Sequence, residues 1–348
     1  MCTLIVLHRC VSGRPLVVAA NRDEFLDRPA EGMALRTSGE PTGERRGENW
    51  IVAPRDLEAG GTWVGLNARN VFVGLTNLRP ADADSTTDQA ALTGTKEGTK
   101  EGGKLQSRGD VVMKALEAES AAKAIERLLR LEPSRFNPFQ LLVADGQEAW
   151  LLVYRGEARA ISLEPGPHVV GNVVDGKVEA ALGAATTEWE ASQGSNAMAA
   201  KCEKREKHSE SRVRKLTRIR ERVEKLMTDS GPDLFEGLAE ICREHVGDFG
   251  HVGGHVGGHS HADGSDRAWQ DALGMEGPGI SPFESTCVHV AGRYGTRSSL
   301  LLELAADPDA NRLWTTEGSP CAWPYENRSS LLRELRERQS DRAETAKA

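Results

Sequence analysis

The second residue of the chain, Cys2, has the side chain with the clearest chemical potential. It directly follows Met1, and a side chain this small allows an aminopeptidase to remove the initiator methionine. The trimmed chain would begin with a thiol and a free α-amine on one residue, which pairs a nucleophile with its own base. The ordinary pKa values of the two groups, about 8.5 and about 7.7–8.0, make proton transfer between them nearly balanced at neutral pH. This pattern favours acyl transfer by an N-terminal cysteine.

The same residue also has an ordinary structural role open to it. A free cysteine often serves as a small buried apolar side chain, whereas a reactive cysteine needs an accessible position and a lowered pKa. Cys2 alone therefore does not establish an activity. The residues that surround it determine whether its role is structural or reactive.

A polar motif, Asn21-Arg22-Asp23-Glu24, ends the next strand-like segment. Cys2–Leu7 and Leu16–Ala20 have the composition of strands, and Ser12-Gly13-Arg14-Pro15 has the composition of a turn. In the antiparallel hairpin that these segments predict, the start of the first strand lies beside the end of the second. We therefore expect the polar motif next to Cys2, either within a site or as an ordinary ion pair that closes the hairpin.

Composition argues against several classes of protein. The 348-residue chain has a formal net charge of −8, whereas a nucleic-acid-binding domain is typically basic. Its apolar segments fall far short of the ~20 residues that a membrane-spanning helix needs, and Leu4–Leu7 is too short for a signal peptide. The six cysteines include no C-x-x-C pair, which favours a reducing compartment. We expect a cytoplasmic or other intracellular location, with mitochondrial or Golgi association in a eukaryotic source, and no nucleic-acid partner.

Periodicity in the rest of the chain predicts a mixture of strands and helices. A polar loop containing residues 44–48 is expected before the first of the later strands. The predicted strands cover residues 60–67, 71–77, 139–144, 149–154, 158–163, 169–174, 284–291, 298–305 and 312–316. The predicted helices cover residues 107–131, 213–226 and 233–245, with a charged helix from 329 that frays outward. This order favours an α+β or layered α/β domain built on antiparallel sheets.

Residues 201–225 form a basic segment with eleven Lys or Arg against five Glu. Their apolar stripe favours an amphipathic helix packed on the body of the protein. The alternative is a basic arm that makes peripheral contact with an anionic membrane surface.

A histidine tract contains His251, His255, His259 and His261, separated mainly by glycine and valine. Imidazole is the commonest metal ligand, but the spacing does not match H-E-x-x-H and the glycines disfavour a rigid helix. We interpret the tract as a low-complexity insertion and assign no metal site from the sequence.

Four motifs in a fixed order resemble those of the NRDE family, which is transport and Golgi organisation protein 2-like. They are Met1-Cys2-Thr3, Ala19–Glu24, Gly60–Gly65 and Tyr294–Ser299. The resemblance implies an α+β fold like that of the N-terminal-nucleophile (Ntn) hydrolases, a four-layer αββα sandwich of two antiparallel sheets between helical layers. It also implies one domain over residues 1–330, with low-complexity insertions near 87–104, 190–210 and 247–266. Residues 331–348 are then a charged C-terminal helix or tail.

The resemblance also implies the site residues, by analogy with bile-salt hydrolases and penicillin V acylases, which use an N-terminal cysteine on amide bonds. Cys2 is similar to their nucleophile, Asp23 to the carboxylate beside the N-terminal amine or thiol, and Arg22 to a cation that favours the thiolate. The remaining positions are Asn77 and Asn172, which resemble the oxyanion site, and Arg297, which resembles the arginine that borders the nucleophile.

Each of these partners also has a structural alternative. Asn77 and Asn172 could be turn residues that use their side chains locally, and Arg297 could form a structural ion pair. Trp63 is expected to pack in the core rather than to bind substrate, and Glu24 is expected to be structural.

Two functions follow from the resemblance. The first is a hydrolase or acyltransferase that acts on an amide or acyl (C–N) bond of a small molecule, with no cofactor required. The second is a non-catalytic protein that carries haem or lipid in intracellular transport and Golgi organisation, with haem as a candidate cargo.

Overall fold

The computed structural model describes residues 2–38, 49–78, 105–182, 198–229, 233–246, 281–290 and 292–345. The predicted insertions near 87–104 and 247–266, the histidine tract and the first part of 190–210 lie outside these residues. Within 198–210 and 341–345 only the backbone is described.

Fourteen strands lie within the described residues. They are β1 (Cys2–Val11), β2 (Arg14–Phe25), β3 (Ala30–Thr37), β4 (Trp50–Asp56), β5 (Val64–Asn67), β6 (Phe72–Asn77), β7 (Phe139–Ala144), β8 (Ala149–Tyr154), β9 (Ala158–Ser162), β10 (Gly166–Val170), β11 (His289–Val290), β12 (Tyr294–Leu304), β13 (Arg312–Thr316) and β14 (Glu326–Asn327).

Six α-helices complete the described elements. They are α1 (Arg108–Leu116), α2 (Ala121–Leu128), α3 (Gly176–Leu182), α4 (Met198–Thr228), α5 (Leu234–Arg243) and α6 (Ser330–Thr345), with short 3₁₀ turns at Pro282–Glu284 and Pro308–Ala310.

The strands form two antiparallel sheets. The first sheet has the order β10-β1-β2-β12-β13-β14, with β11 pairing to β12, and the second is a meander from β3 to β9. β1 and β2 therefore form the predicted hairpin, and β12 lies on the other side of β2. The three strands that carry the N-terminal motifs and the late arginine are neighbours in the first sheet.

Four layers result from how the faces of these sheets are covered. Alternate residues of both sheets, including Leu4, Val18 and Phe72, pack together in an inter-sheet core. Helices α1 and α2 cover the outer face of the second sheet, and α4 and α5 cover the outer face of the first. The predicted α+β, four-layer αββα arrangement is confirmed.

The predicted helix over 107–131 is wrong in one respect, because it is broken into α1 and α2. The side-chain amide of Asn67 donates to Leu116 O at 2.9 Å and to Ala118 O at 2.8 Å. These are carbonyls that a continuous helix would use for its own hydrogen bonds. Ser120 then accepts from the Lys123 amide and caps the second helix.

Two further differences concern polar segments. Residues 44–48 of the expected polar loop lie outside the described residues, and the strands on either side of them, β3 and β4, were both missed. β3 is a half-buried edge strand with little alternation of polar and apolar residues. The helix at 329 does not simply fray outward, because Leu332 and Leu335 of α6 are buried against the inter-sheet core. The predicted strand at 284–291 shortens to β11 after a 3₁₀ turn.

The basic segment forms the second half of α4 and makes ion pairs with the body of the protein. Arg214 pairs with Glu284, Arg220 with Asp175, and Arg222 with Glu244. Leu216, Ile219 and Val223 are buried on its inner face. Contact with an anionic surface stays a prediction, whereas packing on the first sheet is observed.

In the described part of the chain, no helix combines the length and apolar character that crossing a bilayer requires.

The tight contact between Gly61 and the start of α1 gives a test of this packing. A Cβ added at Gly61 would lie 2.6 Å from the Gly109 carbonyl carbon. We expect Gly61→Ala to lower the free energy of unfolding by about 1–3 kcal/mol, as overpacking does, in urea denaturation. Gly146→Ala is the control, since its Cβ would approach nothing closer than 3.6 Å. Equal destabilisation in the two variants would contradict the importance of this contact.

Candidate active site

The register of three neighbouring strands brings four of the predicted residues, Cys2, Arg22, Asp23 and Arg297, to one end of the first sheet. Cys2 on β1 pairs with Arg22 on β2, and Thr3 pairs with Asn21. On the other side of β2, Asp23 pairs with Thr296 of β12. The prediction that the hairpin sets the polar motif beside Cys2 agrees with this pairing.

A pocket between the two sheets opens beside Cys2. Its empty volume is about 710 Å³, including the open mouth, and Cys2, Arg22, Trp63 and Arg297 are among its lining residues. Apolar side chains provide much of the remaining wall, among them Leu4, Met33, Leu75 and Leu300. The thiol therefore borders a space that has both an apolar wall and two guanidinium groups.

Cys2 is half-buried, and this burial raises the pKa of its thiol above the ordinary value. The positive N-terminus lowers the pKa, the Asp23 carboxylate raises it, and the Arg22 guanidinium and a hydrogen bond from the Asp23 backbone lower it. Because burial is the largest of these effects, the side chain is a neutral thiol at neutral pH. A base is needed to convert it into a nucleophile.

Arg22 lines the pocket and contacts Trp63 on its opposite wall. Its guanidinium carbon is 3.9 Å from the centre of a Trp63 ring, a cation–π contact. Its Nη2 atom lies 4.0 Å from Glu24 Oε2, and burial lowers the pKa of Arg22. Trp63 therefore does more than fill the core, because it also holds a cation next to Cys2.

Asp23 faces the other side of the first sheet, as alternation along a strand requires. Its Oδ1 accepts a hydrogen bond from Thr296 Oγ1 at 2.6 Å, and its Oδ2 lies 3.7 Å from Lys215 Nζ on α4. The hydroxyl of Tyr294 donates to the Asp23 backbone oxygen at 2.9 Å. Thr296 and Lys215 thus hold the carboxylate, and Tyr294 holds the backbone, at a position where Asp23 is only 3% exposed.

Arg297 occupies a bulge in β12, where the pairing with β2 shifts between Thr296 and Ser298. Its Nη1 donates to the backbone oxygen of Phe25 at 3.1 Å and to that of Arg28. These backbone contacts, rather than the ion pair considered as the alternative, hold the guanidinium at the pocket.

Asn77 and Asn172 contact each other but are not among the residues that line the pocket. Asn172 Nδ2 donates to the Asn77 backbone oxygen at 2.6 Å. The segment that carries Asn172 is held by Gln140, whose Nε2 donates to Gly171 O and Val173 O. The two asparagines are therefore joined to each other and are not part of the pocket wall.

Sequence reasoning missed two cations near Cys2. Lys215 was treated as part of a basic surface, although it lies four and eight residues before the buried Ile219 and Val223 on the same helix face. Arg108, at the start of α1, has its pKa lowered to about 10 by burial, with Glu24 and Cys2 opposing that shift. The four-residue spacing could have identified Lys215 as a residue on the buried helix face. Arg108 could not be identified in this way, because it approaches Cys2 only through the packing of α1 on the 60–63 turn.

Comparison with known proteins agrees with the motifs. A family model described as Transport and Golgi organisation 2 matches residues 1–312. The Transport and Golgi organization protein 2 homolog of Bos taurus is 27% identical over 167 residues, which is 46% of this chain and 51% of that protein. The homolog from Homo sapiens matches to the same extent. The chain therefore spans about half the length of the curated relatives it matches.

Solved structures with a partial likeness include two hydrolases. Penicillin V acylase from Agrobacterium tumefaciens has a TM-score of 0.43 at 11% sequence identity, covering 90% of this chain and 82% of the acylase. A C2A mutant of conjugated bile acid hydrolase from Clostridium perfringens has a TM-score of 0.33 at 12% identity, covering 52% and 56%. Likenesses at this level do not indicate an activity for this chain.

The raised pKa of Cys2 predicts how its alkylation depends on pH. The rate of iodoacetamide labelling should rise through a midpoint above the ordinary thiol range, because only the thiolate reacts. Arg22→Gln should raise this midpoint further, since the guanidinium lowers the pKa of Cys2. Peptide mass spectrometry across pH would measure it, with Arg9→Gln, at an exposed position on β1, as the control. An ordinary midpoint, or a lower midpoint in Arg22→Gln, would contradict the prediction.

The contact of Lys215 with Asp23 predicts a large effect on stability. Lys215→Met leaves a buried carboxylate without its cation, so we expect the free energy of unfolding to fall by about 3–5 kcal/mol. Adding Asp23→Asn to Lys215→Met should restore part of the loss, because the uncompensated charge is removed. Chemical denaturation measures the cycle, with Lys123→Met on the exposed face of α2 as the control. Additive effects in the double variant would show that the two residues do not interact.

Proposed function

The chain belongs to the Transport and Golgi organisation 2 family, and we propose that it is an N-terminal cysteine hydrolase or acyltransferase of amide or related acyl compounds. The observation that supports this most strongly is the pairing of Cys2 with Arg22 at the wall of a pocket. This pairing supplies a candidate nucleophile beside a cation and a space for substrate, whereas the base and the oxyanion donors that acyl transfer also needs must come from other groups.

The proposed reaction requires removal of Met1, so that Cys2 carries a free α-amine. The amine takes the thiol proton as Sγ attacks the acyl carbonyl carbon, and the carbonyl electron pair moves to oxygen. The intermediate collapses with breakage of the C–N bond, and the leaving nitrogen receives the proton from the α-ammonium group. The resulting thioester is cleaved by water in hydrolysis, or by an acceptor amine in transfer.

A raised thiol pKa is compatible with this proton transfer. Burial keeps Cys2 neutral at rest, so the thiolate forms only as the neighbouring amine takes the proton. Asp23 directly follows Arg22, the residue that pairs with Cys2, and its backbone amide donates to the Cys2 thiol. We therefore expect the trimmed amine to lie beside the Asp23 carboxylate, which would stabilise the ammonium form during the reaction.

The developing oxyanion requires donors, and Asn172 and Asn77 are the proposed ones. β10 ends at Val170, which pairs with Leu4, and Asn172 follows this strand end two residues later, on the side of the pairing towards Cys2. Asn172 uses one N–H on the Asn77 backbone oxygen, and its amide has a second N–H to offer. A single donor of this type is worth roughly 10²–10³ in rate.

The pocket wall favours a substrate with an apolar acyl group. Leu4, Met33, Leu75 and Leu300 offer surface to a hydrocarbon or ring, while Arg22 and Arg297 lie where an acyl oxygen or a nearby anionic substituent would be attracted. We propose Arg297 as a group that positions the substrate, because its backbone contacts hold it still.

The alternative function is a carrier that binds haem or lipid in the same pocket without turnover. The family description, which refers to transport and Golgi organisation, favours this candidate. It differs from the first in one respect that can be measured, since the apolar wall that would hold a cargo does not depend on the Cys2 thiol.

Labelling of the full-length protein with an electrophilic acyl probe tests the first function. Intact mass should show that Met1 is absent and that one acyl group is added. Cys2→Ala should abolish labelling, whereas Cys10→Ser should retain it, because Cys10 is a second half-buried cysteine on the same strand. Asn172→Ala should slow labelling by about 10²–10³-fold.

Two outcomes would overturn the proposed activity. One is retention of Met1 in the folded protein, and the other is labelling that persists in Cys2→Ala. If haem or a fatty-acyl lipid also binds Cys2→Ala with unchanged affinity, the carrier function is favoured instead.

A further inference from the structure

A cluster of two histidines and two cysteines lies on the outer side of the first sheet, away from the pocket. His245 follows α5, Cys287 and His289 belong to the segment that ends in β11, and Cys321 lies between β13 and β14. Their four potential ligand atoms all lie within 4.8 Å of one another. We call this group the His–Cys cluster.

The distances within the His–Cys cluster fit a tetrahedral ion. His289 Nε2 lies 3.5 Å from Cys287 Sγ and 3.2 Å from Cys321 Sγ. Zinc bonds of about 2.3 Å to sulfur and about 2.0–2.1 Å to nitrogen, in tetrahedral geometry, separate the ligand atoms by about 3.3–3.8 Å. The ring centres of His245 and His289 are 5.0 Å apart, so both imidazoles border the same point.

We propose that the protein binds a structural Zn²⁺ ion through the His–Cys cluster, with His245, Cys287, His289 and Cys321 as its ligands. Thiolate and imidazole ligands select zinc over calcium and magnesium, which prefer oxygen. Four protein ligands complete a tetrahedron and leave no position for water or substrate. The site is therefore structural rather than catalytic.

The backbone around the cluster is already fixed by hydrogen bonds, which lowers the cost of forming the site. The Cys287 amide donates to Glu244 O at 3.0 Å, and the Val246 amide donates to Ser285 Oγ at 3.0 Å. These contacts join the segment before residue 247 to the segment after residue 280. The ion would add a second cross-link at the same place, between His245 and Cys287. Closing the loop between these residues lowers the conformational entropy of the unfolded chain, so the cross-link would stabilise the fold.

The cluster also connects to the carboxylate behind Cys2. Val288, between the two ligands of the β11 segment, donates its amide to Thr296 Oγ1 at 2.8 Å and accepts from the Thr296 amide at 2.8 Å. Thr296 Oγ1 in turn donates to Asp23 Oδ1. An ion bound to the cluster would therefore hold the strand segment that orients Asp23, without contact with the reacting atoms.

Two competing chemistries involve the same residues or their neighbours in the chain. Cys287 and Cys321 could be oxidised to a disulfide, which would leave no thiolate for a metal. The histidine tract at residues 251–261 could bind metal by itself, so total zinc content does not identify the site. The test must separate these sources.

Metal analysis and cobalt substitution on the full-length protein make this separation. After desalting in the presence of a weak chelator, we expect about one equivalent of zinc per chain. Replacement by Co²⁺ should give tetrahedral d–d bands together with thiolate-to-metal charge-transfer bands, and a histidine tract cannot produce the charge-transfer bands. Removal of the ion with a strong chelator should lower the Tm, because binding energy at such a site contributes to folding.

Matched variants identify the ligands. Cys321→Ser and His289→Gln should lose the retained zinc, and His289 is exposed, so its variant is expected to fold. Cys10→Ser should keep the zinc, as should a variant in which all four tract histidines are changed to asparagine. Zinc lost only from the tract variant, a Cys287–Cys321 disulfide in protein purified under reducing conditions, or cobalt spectra without thiolate bands would each overturn the proposal.

Discussion

The pairing register of β1, β2 and β12 is the constraint on which the rest of the site depends. Because side chains alternate along a strand, fixing Cys2 opposite Arg22 determines the face to which every neighbouring residue points. Arg22 is directed between the sheets, where Trp63 covers it, and Asp23 is directed towards α4. A shift of one residue would exchange these two environments and place a carboxylate against an aromatic ring.

The charged residues near the site form two groups, one on each face of the first sheet, and each group contains its own partners. Arg22, Glu24 and Trp63 form a group on the pocket side. Asp23, Lys215 and Thr296 form another group on the helical side. A buried charge without such partners would cost several kcal/mol, so each group requires the layer that covers it. The four-layer fold thus determines the orientation of the residues next to Cys2, as well as providing the core.

The sequence predicts the parts of this arrangement that follow from local pattern. The hairpin, the strands at 139–144, 149–154 and 312–316, and the proximity of the polar motif to Cys2 follow from composition and from antiparallel geometry. The break between α1 and α2 could not be predicted, because Asn67 causes it from a distant turn. The half-buried edge strand β3 shows little alternation of buried and exposed residues, so the two-residue hydrophobic period of a strand could not identify it. Lys215 and the His–Cys cluster depend on which segments meet across the fold, and spacing along the chain contains little of that information.

Asn21 shows how a short motif can combine separate demands. Its side-chain nitrogen donates to Cys242 O at the end of α5 and to Thr286 O in the segment before β11, each at 2.9 Å. Asn21 therefore joins a helix and a connecting segment to the central strand β2, while the next residue, Arg22, faces the cavity. Consecutive residues of one motif thus have different structural roles. A natural variant at the first position would lower the stability of the fold, and it would not remove the group of Arg22 that faces the cavity.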